Sequence, residues 1–244
     1  MIISDAPSPN FSARAAGKKI KYLVLHYTDT VTAFDALRIL QDPARQVSAH
    51  YLVDENGLAL RLVPEEMRAW HAGQSWWEGE SDINSCSIGI EIQNHGHGYG
   101  YRHFPDEQMQ AVAELCRDII SRHHILPYHV IAHSDIAPER KKDPGELFPW
   151  ENLAHQSIGL WPRVTDNDEL EAEDIAKDHE KIKSLMTYYG YDPRVDFTVL
   201  LSAFQRHFEQ DVFGFEEKIG VASLGTISRI VALHRQKLAL RPRT

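Results

Sequence analysis

Cysteine is scarce in this sequence, which has only Cys86 and Cys116 among its 244 residues. The two lie far apart, so they do not form the close pairs typical of a thiolate zinc site. Two isolated thiols also cannot build the framework of bridges that small secreted domains need. The sequence therefore argues against a disulfide scaffold and a thiolate metal site, and both cysteines are expected to be reduced and partly buried.

Long apolar runs are also missing. No stretch approaches the roughly 18 apolar residues of a membrane span, so no span is expected. Residues 1–10 contain Asp5, Pro7 and Pro9, and they lack the basic start and apolar run of a secretory signal. A cytoplasmic protein is expected, with the periplasm as the alternative if a signal was removed.

Positive charge is not in excess, because 26 lysines and arginines face 35 acids, which gives a net charge of −9. Nucleic-acid binding depends on a basic face, so no nucleic-acid partner is expected. A hydrophobic fraction of 43% is typical of a folded soluble protein. Histidine is abundant, with fourteen residues that fall mostly before position 156, and this concentration suggests chemistry in the N-terminal two-thirds.

The N-terminal part alternates predicted strands and helices. Residues 21–27 (KYLVLHY) alternate as a strand does, and Asn56-Gly57 is a strong hairpin signal. Phe34, Leu37 and Leu40 are spaced to share one helix face. The full set comprises a strand over 21–27, a helix over 32–40, a hairpin over 48–63, a strand over 88–93, a helix over 105–123 and a strand over 128–132. This order predicts an α/β fold with a mixed central sheet flanked by helices.

The composition changes near Thr165, after which residues 166–180 contain eight acids and one lysine. We place a domain boundary there, with one domain over 1–165 and a small helical one over 166–244. Helical segments are expected near 170–189, 196–209 and 223–237. About 160 residues are enough to bury a core, so the first domain is expected to fold and act without the second.

Candidate metal ligands lie on separate predicted strands. A catalytic zinc takes three protein ligands and keeps a fourth position open. The sequence has no H-E-x-x-H motif, so a helix-borne protease site is not expected. His26 lies late in the first strand, His133 directly follows another, and Asp143 lies on a proline-rich loop that can fold back. Spacing alone does not decide between a metal site and histidines that are packed or solvated.

Glu91 lies in the middle of a predicted strand. Ile88, Ile90 and Ile92 share one face of that strand, and Glu91 lies on the other. A carboxylate in this position is either on an exposed sheet face or directed into a site. The residues alone leave both interpretations open.

Five segments together resemble a known family. They are VLHYTDT (24–30), SAHYLVDENG (48–57), RAWHAG (68–73), NSCSIGIEIQN (84–94) and AHSDIAPERKKDPGELFPW (132–150). They cover about residues 20–150 and resemble the N-acetylmuramoyl-L-alanine amidases of the amidase-2 family (AmpD/AmiD type). The resemblance implies the peptidoglycan-recognition-like fold of that family. It also implies hydrolysis of the amide between N-acetylmuramic acid and L-alanine.

The resemblance also implies roles for individual residues. One Zn²⁺ is expected on His26, His133 and Asp143, with Glu91 as general base and acid and Lys141 steadying the oxyanion. The substrate-side or orienting residues are expected to be His50, His71, Trp70 and Arg140. In the cytoplasmic AmpD-type branch a basic residue precedes the strand that corresponds to SIGIE (87–91) in this sequence. Here that stretch is acidic (residues 80–83), which puts narrow specificity for anhydro-muropeptides in doubt.

The C-terminal segment resembles a three-helix peptidoglycan-binding-like domain, through YYGYD (188–192) and LLSAFQRHF (200–208). Peptidoglycan fragments and muropeptides are therefore the expected partners, in cell-wall recycling or turnover. Two alternatives are a non-catalytic peptidoglycan recognition protein and a phage-type endolysin amidase. The oligomeric state is left open.

Overall fold

The structure, a computed structural model, describes residues 3–241. Its strands are β1 (Ile3–Asp5), β2 (Phe11–Ala13), β3 (Tyr22–Tyr27), β4 (Tyr51–Val53), β5 (Ala59–Arg61), β6 (Met67–Ala69), β7 (Ser87–Ile92) and β8 (Val130–Ala132). Its helices are α1 (Ala33–Gln41), α2 (Gly96–Tyr99), α3 (Asp106–His123), α4 (His133–Ile136), α5 (Trp150–His155), α6 (Asp166–Ile175), α7 (His179–Tyr189), α8 (Phe197–Phe208) and α9 (Leu224–Leu240).

Six strands form a mixed central sheet in the order β1-β5-β4-β7-β3-β8. The four strands β4, β7, β3 and β8 run parallel, and the hairpin partner β5 runs antiparallel to β4. The hairpin predicted at Asn56-Gly57 is therefore confirmed. The α/β class and the central sheet flanked by helices are confirmed as well.

The two faces of the sheet pack against different parts of the chain. Leu23 and Leu25 of β3 join the apolar cluster under α3. Tyr22 and Val24 of the same strand join a second cluster, together with buried residues of α7, α8 and α9. Successive side chains of a strand point to opposite faces. The C-terminal helices thus cover the face of the sheet opposite α3.

Several local predictions hold. Helix α3 begins after Pro105, where the first helical N–H groups need no partner within the helix, and Val112, Cys116 and Ile119 on one of its faces are buried. Thr32 caps α1 by accepting a hydrogen bond from the backbone N–H of Asp35. Phe34, expected on the core face of α1, is instead 66% exposed. The face of that helix that reaches the interior carries Ala36 and Leu40.

Two predicted boundaries differ from the structure. The strand expected over 128–132 begins only at Val130, because Pro127 starts a 3-10 turn over Pro127–His129. The single helical segment expected over 170–189 is divided into α6 and α7. Asp178 accepts a hydrogen bond from the backbone N–H of Lys181 and so begins a new helix. The region after 165 is helical as predicted, but it contains four helices within the described residues.

Among residues 3–241, no helix has the length and apolar character required to cross a membrane.

Candidate active site

Two adjacent parallel strands carry the first two candidate residues. His26 of β3 and Glu91 of β7 are register partners in the sheet. Ile88, Ile90 and Ile92 pack into the cluster under α3, so Glu91 and His26 face the other way. The face assignment made from the sequence is therefore confirmed, and the two side chains lie side by side near the carboxyl ends of their strands.

The other two candidates come from the segment that follows β8. His133 is the first residue of α4. The chain then turns back, and the backbone N–H of Ser134 donates to the carbonyl oxygen of Asp143 over 2.9 Å. This contact brings the Asp143 Oδ2 atom to 2.9 Å from His133 Nδ1 and 3.0 Å from His26 Nδ1. The two Nδ1 atoms are themselves 2.9 Å apart.

A chain of hydrogen bonds determines which ring nitrogen of His26 carries the proton. Ser87 donates its hydroxyl hydrogen to the carbonyl oxygen of Ile83, so its Oγ must accept from His71 Nε2, which is 3.0 Å away. His71 Nδ1 is then an acceptor, and it takes the Nε2–H of His26 over 3.0 Å. Neutral His26 is left with an unprotonated Nδ1, which points at Asp143.

The proton on the His133 ring is assigned in the same way. Its Nε2 lies 3.2 Å from the carbonyl oxygen of Ala72 and can only donate to it, so Nδ1 carries the lone pair. Burial, followed by the neighbouring His133, lowers the pKa of His26 to about 4, and His26 is therefore neutral at pH 7. With these tautomers, two lone pairs and a carboxylate oxygen converge, and a bound cation would relieve their mutual repulsion.

This donor set fits zinc. Imidazole nitrogen and carboxylate oxygen are zinc ligands, and bonds of about 2.0–2.1 Å in a tetrahedral site place ligand atoms about 3.3 Å apart. The separations of 2.9 to 3.0 Å are close to that value. The pKa of the Asp143 carboxyl lies below its ordinary value although burial opposes its ionisation, so this group is anionic at pH 7. The three residues could therefore hold a divalent ion as a neutral–neutral–anionic set.

Glu91 differs from every other acid near the group. Its Oε2 atom is buried, and no hydrogen-bond partner for it is found among the described residues. Burial, with a smaller contribution from the Asp143 carboxylate, raises the pKa of Glu91 well above its ordinary value. A buried carboxyl with a raised pKa is suited to taking up and releasing a proton.

A cleft of about 390 Å³ is lined by Glu91, His133 and Asp143, whereas His26 is buried and is not among its lining residues. Lys141 lines it beside Glu91 and Asp143, and no hydrogen bond or ion pair of the Lys141 ammonium is found within residues 3–241. Arg140 also lines the cleft, but it donates to the carbonyl oxygens of Ala72 and Gln74 over 2.6 Å each. A larger groove of about 670 Å³ on another part of the surface contains none of the candidate residues.

The family model for N-acetylmuramoyl-L-alanine amidase (Amidase_2) matches residues 16–146. The chain belongs to this family of hydrolases. Its sequence is 44% identical over 225 residues to the N-acetylmuramoyl-L-alanine amidase AmiD of Escherichia coli, covering 84% of this chain and 80% of that one. It is 33% identical over 162 residues to the 1,6-anhydro-N-acetylmuramyl-L-alanine amidase AmpD of Salmonella typhimurium, covering 59% of this chain and 84% of that one.

A solved structure gives the same result. The complex of E. coli AmiD with anhydro-N-acetylmuramic acid-L-Ala-D-gamma-Glu-L-Lys superposes with a TM-score of 0.77 and 38% identity, and it covers 91% of this chain and 92% of that one. The likeness therefore includes the C-terminal helices as well as the amidase segment. The family predicted from the five sequence motifs is confirmed.

The substrate-side residues predicted for this amidase lie at different depths. His50 has no exposed surface, because its Nδ1 accepts the backbone N–H of Gly89 and its ring meets that of His71 edge-on. This position fits an orienting role and rules out direct contact with a ligand in the cleft. His71 lines the cleft, and its ring is hydrogen-bonded to that of His26. Trp70 donates to Ser12 away from the cleft, so its assignment stays a prediction.

Sequence reasoning missed two residues that lie behind the candidate site. Ser87 fixes the His71 tautomer, although it lies inside one of the family motifs. Asp135 lies two residues after His133 and is buried. Asp135 also lies inside a family motif, the segment 132–150, but its side-chain partners Tyr191 and His207 are distant in sequence.

Proposed function

We propose that this chain is a zinc-dependent N-acetylmuramoyl-L-alanine amidase that acts in peptidoglycan recycling or turnover. The bond cut is the amide between the lactyl group of N-acetylmuramic acid and L-alanine, in peptidoglycan or in (anhydro)muropeptides. The observation that carries the proposal is the convergence of His26, His133 and Asp143 as three acceptors beside the unpartnered carboxyl of Glu91.

His26, His133 and Asp143 would hold the ion. When bound, zinc supplies Lewis-acid chemistry and lowers the pKa of a coordinated water to about 7. Glu91 takes a proton from the attacking water and later delivers it to the leaving nitrogen of L-alanine. The Lys141 ammonium faces the oxyanion that develops on the carbonyl oxygen of the lactyl group. One such donor stabilises the transition state by about 3 kcal/mol in a dry site.

Metal removal tests the proposal. The purified chain is expected to contain about one zinc ion, to lose hydrolysis of anhydro-muropeptide after chelation, and to regain it when zinc is added. Mass spectrometry of the released sugar and peptide follows the reaction. His26→Ala is expected to lower zinc content and rate together, because one of three ligands is lost.

His103→Ala provides the matched control, since His103 is exposed and lies outside the metal group. It is expected to retain the zinc content and rate of the wild type. Full activity in a chain freed of metal would disprove the zinc-dependent mechanism. Parallel assays on intact sacculi establish whether polymeric peptidoglycan is also a substrate.

A further inference from the structure

A buried carboxylate lies two residues beyond the candidate ligand His133. Asp135 is 1% exposed and accepts three hydrogen bonds. Its Oδ2 accepts from the backbone N–H of Ala132 over 2.8 Å and from His207 Nδ1 over 2.7 Å. Its Oδ1 accepts from the Tyr191 hydroxyl over 2.6 Å. Two of these three donors belong to the C-terminal helical region.

Both donors are themselves held firmly. The His207 ring on α8 stacks against Trp150 and Phe208, with ring centroids 3.8 and 3.7 Å apart. Tyr191 follows α7, is fully buried, and packs against Trp77 at 4.9 Å between ring centroids. The C-terminal helices therefore present two oriented hydrogen-bond donors at a fixed place beneath α4.

Helix α4 connects this contact to the metal group. It begins with His133, and the backbone N–H of its second residue, Ser134, holds the carbonyl oxygen of Asp143. A shift of Asp135 would therefore move two of the three candidate ligands relative to His26, which lies on the separate strand β3. A buried carboxylate that loses a donor must find another partner or water, and such a shift is the consequence.

We propose that Tyr191 and His207 are positioning residues that act through Asp135 to hold α4 in its metal-binding geometry. The C-terminal helices are then part of what makes the metal site, in addition to any role they have in binding the cell wall. This inference rests on the zinc site proposed above.

The test measures metal affinity in the full-length chain. Zinc dissociation constants are determined by competition with a chelating dye, for the wild type and for Tyr191→Phe and His207→Leu. Loss of a residue that orients metal ligands typically weakens metal binding about 10- to 100-fold, and an effect near the lower end is expected for each variant. Tyr191→Phe removes only one oxygen atom, so its result stands even if His207→Leu folds poorly.

His207→Asn provides a rescue. The asparagine amide nitrogen occupies roughly the place of the histidine Nδ1 and can donate to Asp135, but it does not stack on Trp150. Metal affinity closer to the wild-type value in His207→Asn than in His207→Leu would support the hydrogen bond as the cause. Equal losses in the two variants would contradict it.

Lys237→Met is the matched control. Lys237 of α9 has no exposed surface and pairs with Glu78, which also accepts from His129 Nε2 and the Tyr22 hydroxyl. Tyr22 starts β3, whereas His26 lies near its end, so this contact joins the helices to the opposite end of the sheet. Lys237 also donates to two backbone carbonyl oxygens at the end of α7. The control variant is therefore expected to be less stable to denaturant and to lose less zinc affinity than Tyr191→Phe.

Two results would overturn this inference and leave the proposed function unaffected. One is wild-type zinc affinity in both Tyr191→Phe and His207→Leu. The other is a loss of affinity in Lys237→Met as large as theirs, which would indicate general loosening of the interface. A wild-type chain that binds no zinc would instead overturn the proposed function, and this inference with it.

Discussion

At the scale of the residue, Glu91 lies in an environment that raises its pKa and so favours the protonated, neutral form of its carboxyl. A buried carboxylate oxygen without a donor lowers the free energy of unfolding, and the described part of the chain provides no partner. The fold therefore tolerates a local cost beside the metal group. Such a cost is understandable where the same carboxyl has to exchange a proton during the reaction.

Glu91→Gln isolates this role. The rate of muropeptide cleavage is expected to fall on the order of 10²- to 10⁴-fold, because general acid–base catalysis is lost. Zinc content should not change, since Glu91 is outside the ligand set. The free energy of unfolding should not fall, because the amide is neutral, is close in shape to the carboxyl and places no charge in this buried site. A rate within tenfold of the wild type would show that another group carries the proton.

The sequence allowed the candidate site to be predicted only in part. His26 and His133 are 107 residues apart, and no spacing rule brings them together. The family motifs, rather than periodicity, singled them out, and the structure brings them together with Asp143. The hydrogen bonds of Asp135 could not be predicted, because Tyr191 and His207 lie in a segment with no motif that refers to α4.

At the scale of the element, the turn after α7 depends on one glycine. Gly190 has φ +154°, and a Cβ atom there would lie 2.2 Å from the Trp77 ring. The backbone N–H of Glu78 also donates to the Gly190 carbonyl oxygen. The turn and the Trp77 segment therefore approach each other too closely for any side chain.

Gly190→Ala is expected to lower the free energy of unfolding by at least about 2 kcal/mol, through backbone strain and overpacking. Gly214→Ala is the control, because that glycine has no positive φ and nothing within 4 Å of an added Cβ. Denaturant unfolding compares the two variants. Equal stabilities would mean that the loop around Trp77 adjusts without cost.

Local signals predicted some elements well and others poorly. Pro105 marks the start of α3, and Asn56-Gly57 marks the hairpin, because these residues have strong intrinsic preferences. The division between α6 and α7 was missed although Asp178 is a good N-cap residue. A capping residue inside a polar stretch is ambiguous, since the same acids also suit a continuous solvated helix face.

At the scale of the whole molecule, the sheet and the C-terminal helices share one apolar cluster. Tyr22 and Val24 of β3 and Ile131 of β8 are buried in it together with Phe204 of α8 and Ile227 of α9. The boundary placed at 165/166 coincides with the start of α6, but the division into independent folding units stays a prediction. The shared cluster argues against the expectation that residues 1–165 are self-sufficient.

A chain ending at Val164 is therefore expected to unfold at lower denaturant concentration and to cut even a soluble muropeptide slowly. Truncation exposes one apolar face of the sheet and removes two donors from Asp135. Activity on soluble fragments and on sacculi should fall together. Wild-type stability with a loss confined to sacculi would instead support an independent domain that serves only to bind the wall.

The shared cluster also sets an order of events during translation. Ribosomes release the N-terminal segment first, so β3, β8 and α4 emerge while the helices that cover them are still unmade. The nascent sheet has one face without its cover, and Asp135 lacks its two distant donors. The candidate metal ligands on and after α4 would thus reach their final positions only when α8 has been made.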